Sequence, residues 1–288
     1  MAPSQLFTIS LFLLIIPFAF AQTPTTIGFT YNTSPSTSEY VARFVESANI
    51  SAVRLLDANP DVIRSFSSTN VSLLVTIPNS MVPEIGANRS NAVAWIYQNV
   101  VPYYPRARIS AISVGNNFET FSDIHLLLPA IKNIHNSLHE IGIQNISVST
   151  TFYFYTMITD ISPSCARLRS PADYLVITPV LQFLEQTKSS LFIDMYPYDA
   201  WRLNPEIPIE FALFQNLTWE LSGFPYSNLF DMMVDAVHSA MAASGHQSIP
   251  IIVTGTGWPS SGYTQEVKAT QSFAEKYVTG FWVNASAL

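Results

Sequence analysis

Two short segments hold the residues best placed for chemistry. They are Ile112-Ser113-Val114-Gly115-Asn116-Asn117 and Ile251-Ile252-Val253-Thr254-Gly255-Thr256-Gly257-Trp258-Pro259-Ser260. Each is a β-branched run that ends abruptly in small and polar residues, as a barrel strand does where it delivers side chains to an active face. What these ends offer is hydrogen bonding. An Asn amide donates and accepts hydrogen bonds but transfers no proton near neutral pH, and a glycine supplies no functional group. Acid–base candidates nearby are few. Glu119 lies two residues beyond Asn117, where the chain reads as a loop. Asp57, Asp194 and Asp199 fall near strand ends, without a second carboxylate whose placement spacing alone would define. His135 and His139 share a helix face at i, i+4. The H-E-x-x-H arrangement and a third ligand are missing, so the pair reads as a solvated face and no metal is expected. Cys165 is the single cysteine. Its Ser-Pro-Ser-Cys setting supplies no basic neighbour, so neither a catalytic thiol nor an internal disulfide is expected.

The elements that must position these residues alternate along the chain. Strands are expected at Ile27–Tyr31, Ala52–Asp57, Val71–Ile77, Ile109–Gly115, Ile146–Phe152, Leu191–Tyr196 and Pro250–Thr254. Most are near-continuous apolar runs, the pattern of parallel strands buried on both faces. Amphipathic helices fall between them. One carries Val41, Phe44, Val45 and Ala48; another carries Ile124, Leu127, Leu128, Ile131, Ile134 and Leu138, with Gly142 as its stop; a third carries Leu229, Phe230, Met233, Val234, Val237 and Met241, stopped by Gly245. Asn59-Pro60 reads as an N-cap followed by proline in the first turn. Pro129 should kink its helix or mark the true start. This alternation fits an open doubly wound sheet or a (β/α)8 barrel, and pattern alone does not separate them. No G-x-G-x-x-G follows the first strand, which counts against a nucleotide-binding open sheet. No linker or fixed-period repeat divides the chain, so one domain is expected over residues 22–288.

The two segments and their flanks resemble the plant β-1,3-glucanases of glycoside hydrolase family 17. That family's signatures read V-G-N-E on the acid/base strand and E-T-G-W-P-S on the nucleophile strand. Ile27-Gly28-Phe29-Thr30-Tyr31 resembles its opening I-G-V-N-Y, and Val53-Arg54-Leu55-Leu56-Asp57-Ala58-Asn59-Pro60 its V-R-L-Y-D-x-x-P. Asp194-Met195-Tyr196-Pro197-Tyr198 resembles N-x-Y-P-Y; Phe211–Phe214 and Tyr226–Asp231 match further landmarks. The order and spacing hold from about residue 27 to residue 260. The resemblance implies a (β/α)8 TIM barrel, with the acid/base after the fourth strand and the nucleophile after the seventh. The strand count above puts Asn117 and Gly255 at those two places. A retaining glycosidase needs two carboxyl groups roughly 5 Å apart. Asn117 and Gly255 provide neither, and Gly255 is expected to leave a void the size of a glutamate side chain. Weak inverting chemistry through a water in that void, with Glu119 as base, is the remaining catalytic route. Tyr31, Asn116, Tyr196, Tyr198 and Trp258 match positions that the resemblance places along a sugar groove, where aromatic faces stack on pyranose rings and amides bond hydroxyls. Core packing competes with that role for one of Tyr196 and Tyr198, and Trp258 equally fits a place under the seventh loop. After Ser260 the family continues through an eighth strand. Here Gln265–Val278 reads as helix and Phe281-Trp282-Val283 is the one candidate strand, so the barrel is expected to be incomplete at its eighth unit.

Compartment and partners follow from the rest. Leu11–Phe20 is an apolar run of signal-peptide length ending in the A-x-A pattern Ala19-Phe20-Ala21, which makes residues 1–21 a signal peptide and the protein secreted. Seven N-x-[ST] sequons, at Asn32, Asn49, Asn70, Asn88, Asn145, Asn216 and Asn284, agree with export to the cell wall. No later run is long and apolar enough to span a bilayer. A net charge of −7 leaves no basic patch for nucleic acid. The expected partner is β-1,3-glucan, with no cofactor; oligomeric state is not legible. Three functions stay open: an impaired glucanase that binds glucan, an active endo-1,3-β-glucanase, and a wall protein without a sugar ligand.

Overall fold

The computed structural model describes residues 26–32, 37–117, 123–215, 217–221, 224–263, 266 and 268–286. The expected signal peptide, Glu119 and Asn216 lie outside them. Seven parallel strands form one sheet in chain order: β1 (Gly28–Tyr31), β2 (Ala52–Leu55), β3 (Ser72–Ile77), β4 (Arg108–Asn116), β5 (Ser147–Tyr153), β6 (Leu191–Asp194) and β9 (Ile251–Gly255). Each of the seven expected strands is present, with ends shifted by one or two residues. The sheet curls into a nearly closed barrel, and Thr30 Oγ1 on β1 donates to the Thr254 carbonyl on β9 at 3.2 Å. An antiparallel hairpin, β7 (Trp219–Leu221) with β8 (Phe224–Tyr226), sits outside the barrel sheet.

Helices cover the strands: α1 (Ser38–Ser47), α2 (Pro60–Ser65), α3 (Val82–Ala87), α4 (Arg89–Asn99), α5 (Leu127–Glu140), α6 (Phe154–Met157), α7 (Thr178–Thr187), α8 (Pro197–Leu203), α9 (Ile209–Ala212), α10 (Leu229–Ala243) and α11 (Gln271–Ser286). Local chemistry explains their limits. Asn59 caps α2 by accepting from the Asp61 and Val62 amides, with Pro60 in the first turn. Asn228 caps α10 through the Asp231 amide. Gly142 and Gly245 take positive φ just past α5 and α10, where a side chain would be strained. Pro129 marks a start and not a kink, since it lies in the first turn of α5, where no intrahelical amide is required.

The apolar stripes on α5 and α10 are buried, Leu127, Ile131, Ile134 and Leu138 on the first and Leu229, Met233, Val237 and Met241 on the second. On α1 the buried face is Ser38, Ala42 and Val45, while Phe44 and Ala48 point outward. Phe281-Trp282-Val283 is not a strand. It belongs to α11, where helical spacing lets Tyr277 and Phe281 stack on one another at 6.3 Å. Among the described residues the eighth barrel strand is therefore absent, and β1 and β9 flank the seam. On β9, Ile252 is 42% exposed, which is an edge-strand position rather than a core one.

Candidate functional site

The C-terminal ends of the parallel strands converge on one polar patch, the mouth of the barrel. Its centre is Arg54, delivered by β2 and only 5% exposed. An arginine between Val53 and Leu55 in a buried strand needs acceptors and an opposite charge. Nη1 donates to Asp194 Oδ1 at 2.7 Å and to the Thr254 carbonyl at 3.2 Å. Nη2 donates to Asn116 Oδ1 at 2.9 Å. Thr254 Oγ1 adds a 2.7 Å bond to the same Asp194 oxygen. The Asp194 side chain is 10% exposed, so the ion pair sits below the rim.

Asn116 and Asn117 end β4 in irregular backbone. Gly115 and Asn117 both take positive φ, 75° and 52°, and the register with β5 shifts between Ser113 and Asn116. Asn is the non-glycine residue type that tolerates this region best, which suits Asn117 to its backbone. Asn79, just after β3, clamps the strand end. Its amide donates to the Asn116 carbonyl and its oxygen accepts from the Asn116 amide, both at 2.7 Å. The clamp leaves the Asn116 side chain for Arg54. Asn117 donates its backbone amide to the Thr151 carbonyl at 2.9 Å, and its Oδ1 is buried with no hydrogen-bond partner among the described residues.

Gly255 does not leave a void. A Cβ built on it would lie 2.7 Å from Asp194 Oδ1, 2.9 Å from Asp194 Cγ and 2.9 Å from Tyr196 Oη. The expected cavity is filled by two neighbouring side chains.

The five expected groove residues divide in two. Tyr31, Asn116 and Tyr196 are half-buried at the rim. Burial and the Asp194 charge push the Tyr196 phenol up to about 12. Tyr198 and Trp258 are each 7% exposed and pack edge to face at 5.0 Å. Strand alternation does not govern Tyr196 and Tyr198, because Pro197 opens α8 between them. Trp258 also packs on Trp201, Phe273 and Tyr277, and its Nε1 donates to the Lys268 carbonyl at 2.8 Å. These two rings form the wall behind the mouth.

Sequence reasoning passed over Arg54, Asn79, Thr151, Tyr153 and Thr254. Tyr153 ends β5 one residue beyond the expected strand, and its hydroxyl donates to Asp199 Oδ2 at 2.8 Å. The usable signal was Arg54, a charge inside an apolar strand. The rings of His135 and His139 lie 4.4 Å apart on α5, tilted by 38°, and among the described residues no third His, Cys, Asp or Glu joins them. Of the sequons, Asn32, Asn49, Asn70, Asn88 and Asn145 are exposed, whereas Asn284 is half-buried and donates to Asp231. No helix among the described residues is long and apolar enough to cross a membrane.

The chain matches the family model described as glycosyl hydrolases family 17 over residues 25–282. It is 35% identical over 286 residues to glucan endo-1,3-beta-glucosidase 11 of Arabidopsis thaliana, covering 95% of this chain and 66% of the relative. Glucan endo-1,3-beta-glucosidase 12 of the same plant is 35% identical over 246 residues, covering 83% and 46%. Among solved structures, CJP38, a beta-1,3-glucanase and allergen of Cryptomeria japonica pollen, superposes with a TM-score of 0.82 at 32% identity, covering 89% of this chain and 82% of that one. The chain spans about half to two-thirds of the length of these curated relatives.

Proposed function

The chain belongs to glycosyl hydrolases family 17, and from that premise we propose that it is a secreted protein that binds cell-wall β-1,3-glucan without hydrolysing it. One observation carries the reading. At the two strand ends where the family resemblance puts the acid/base and the nucleophile, this chain has Asn117 and Gly255, and Asp194 and Tyr196 occupy the space beside Gly255.

The chemistry follows from those groups. Retaining hydrolysis needs one carboxyl to protonate the leaving oxygen and another to attack the anomeric carbon. Asn117 cannot supply the proton. Asp194 is the carboxylate nearest to position 255, but its Oδ1 is held by Arg54 and Thr254. Loss of either partner in a paired mechanism removes orders of magnitude in rate, so loss of both leaves background. Binding asks for less: half-buried aromatic faces at Tyr31 and Tyr196 and the amides at the end of β4 fit a polyhydroxylated ring. Export rests on the apolar run and A-x-A pattern in residues 1–21 and on five exposed sequons.

The test is to titrate the protein with laminarin oligosaccharides by calorimetry and to assay reducing-end release at high protein concentration. Saturable binding without release supports the reading. Release at a rate proportional to protein would establish endo-1,3-β-glucanase activity instead. Absence of binding would favour a wall protein with no sugar ligand.

A further inference from the structure

We propose that Asp194 is a relocated counter-ion: its carboxylate, delivered from β6, takes the place that a carboxylate on residue 255 would take from β9, and so holds Arg54 and the strand ends of the mouth. The identity of position 255 rests on the family reading above; the competition for space does not.

Arg54 is buried and needs a negative partner. Among the described residues Asp194 is the carboxylate within ion-pair distance, at 2.7 Å. Asp194 and Gly255 are register partners on neighbouring strands, and the Met195 amide donates to the Gly255 carbonyl at 2.9 Å. Any side chain on residue 255 must start within 2.7–2.9 Å of that carboxylate and of Tyr196 Oη. The glycine is not there for backbone freedom, because Gly255 is not among the residues with positive φ. It is there because the space is taken. The Asp194 oxygen is the far end of a short side chain, but Arg54 and Thr254 hold it, so it cannot swing aside cheaply.

The sequence carries the same exchange. Asp194 stands where the family's N-x-Y-P-Y strand end has asparagine, and Gly255 stands where it has glutamate. Each departure changes the charge of the mouth by one, in opposite directions, and they meet in one contact. The mouth keeps a single carboxylate beside Arg54 while losing the one on β9. Asp194 is thus a positioning residue that acts through Arg54, and restoring the glutamate alone sets two carboxylates against one guanidinium.

A double-mutant cycle on the whole chain tests this: Gly255→Glu, Asp194→Asn and the pair together, read by thermal unfolding in the absence of sugar. The expected result is that each single variant lowers Tm and that the pair recovers more than half of the summed loss. Losses that simply add would overturn the proposal. Should Gly255→Glu fail to fold, Gly255→Ala, which adds only the Cβ, is compared with and without Asp194→Asn. A smaller loss beside Asp194→Asn, whose amide is not pinned by an ion pair, supports the exchange; an equal loss overturns it. Laminarin binding by the unaltered chain fails or succeeds independently of this cycle, so the two readings fall separately.

Discussion

Asp194 and Gly255 face one another across β6 and β9, and the carboxylate of the first fills the side-chain space of the second, 2.7 Å from where a Cβ would stand. Among the described residues, the mouth of this barrel is therefore organised around a buried ion pair, Arg54 with Asp194. Its consequences are measurable.

Removing one member of the pair should cost more than removing both. Asp194→Ala leaves Arg54 buried without a counter-charge, and breaking such a pair costs about 3–5 kcal/mol. Arg54 Nε already lacks a partner, so the guanidinium is incompletely satisfied even in the intact site. The combined Arg54→Met/Asp194→Leu change should therefore lose less stability than Asp194→Ala alone. Urea unfolding midpoints at constant m-value check the order.

The rim and the wall should respond differently to truncation. Tyr31 is half-buried at the rim, and Tyr31→Ala should weaken oligoglucan binding by about tenfold, the worth of one stacking contact, with little change in Tm. Trp258→Ala removes a ring packed among four aromatic neighbours and should cost about 3–5 kcal/mol of stability. Equal effects of the two on Tm would contradict the division.

The Asn79 clamp should matter for the strand end. Asn79→Ala leaves the Asn116 amide and carbonyl without their side-chain partner, at a cost of about 1–3 kcal/mol. Faster hydrogen exchange at the Asn116 amide, with the rest of β4 unchanged, is the expected signature.

Alkaline pH should destabilise the fold through its tyrosines. Tyr196 and Tyr226 are each pushed up to about 12, the first by burial and Asp194, the second by burial and its bond to Asp235. Burial also raises Tyr153, Tyr155 and Tyr277. A folded pKa above the unfolded value of about 10 means the stabilisation is complete below pH 10 and is lost as pH rises from 10 towards 12. Tyr196→Phe should flatten that part of the stability profile, and phenolate absorbance should show these rings titrating late.

Much of the fold was legible because it follows from burial. Seven apolar β-branched runs separated by amphipathic helices admit few arrangements, and caps such as Asn59-Pro60 and stops such as Gly142 state their roles locally. At the eighth unit the shortfall was legible but not its form: Phe281-Trp282-Val283 has strand-like residue types, and tertiary packing of Phe281 on Phe214 and Phe230 keeps it helical. At the mouth, sequence located Asn117 and Gly255 but not what surrounds them. The space at Gly255 is filled from a different strand, and no spacing along the chain reports a contact between residues 194 and 255. Arg54, an isolated charge in an apolar run, was the one signal that would have pointed there, and it was passed over.

As proposed above, this family 17 chain binds β-1,3-glucan without cleaving it, and Asn117, Asp194 and Gly255 together set the difference. The most direct measurement is reducing-end release from laminarin by the unaltered chain and by Asn117→Glu/Asp194→Asn/Gly255→Glu, each at a concentration where calorimetry shows saturation. The account predicts binding without release for the unaltered chain, and release for the triple variant. Steady hydrolysis by the unaltered chain, in proportion to its concentration, would contradict it.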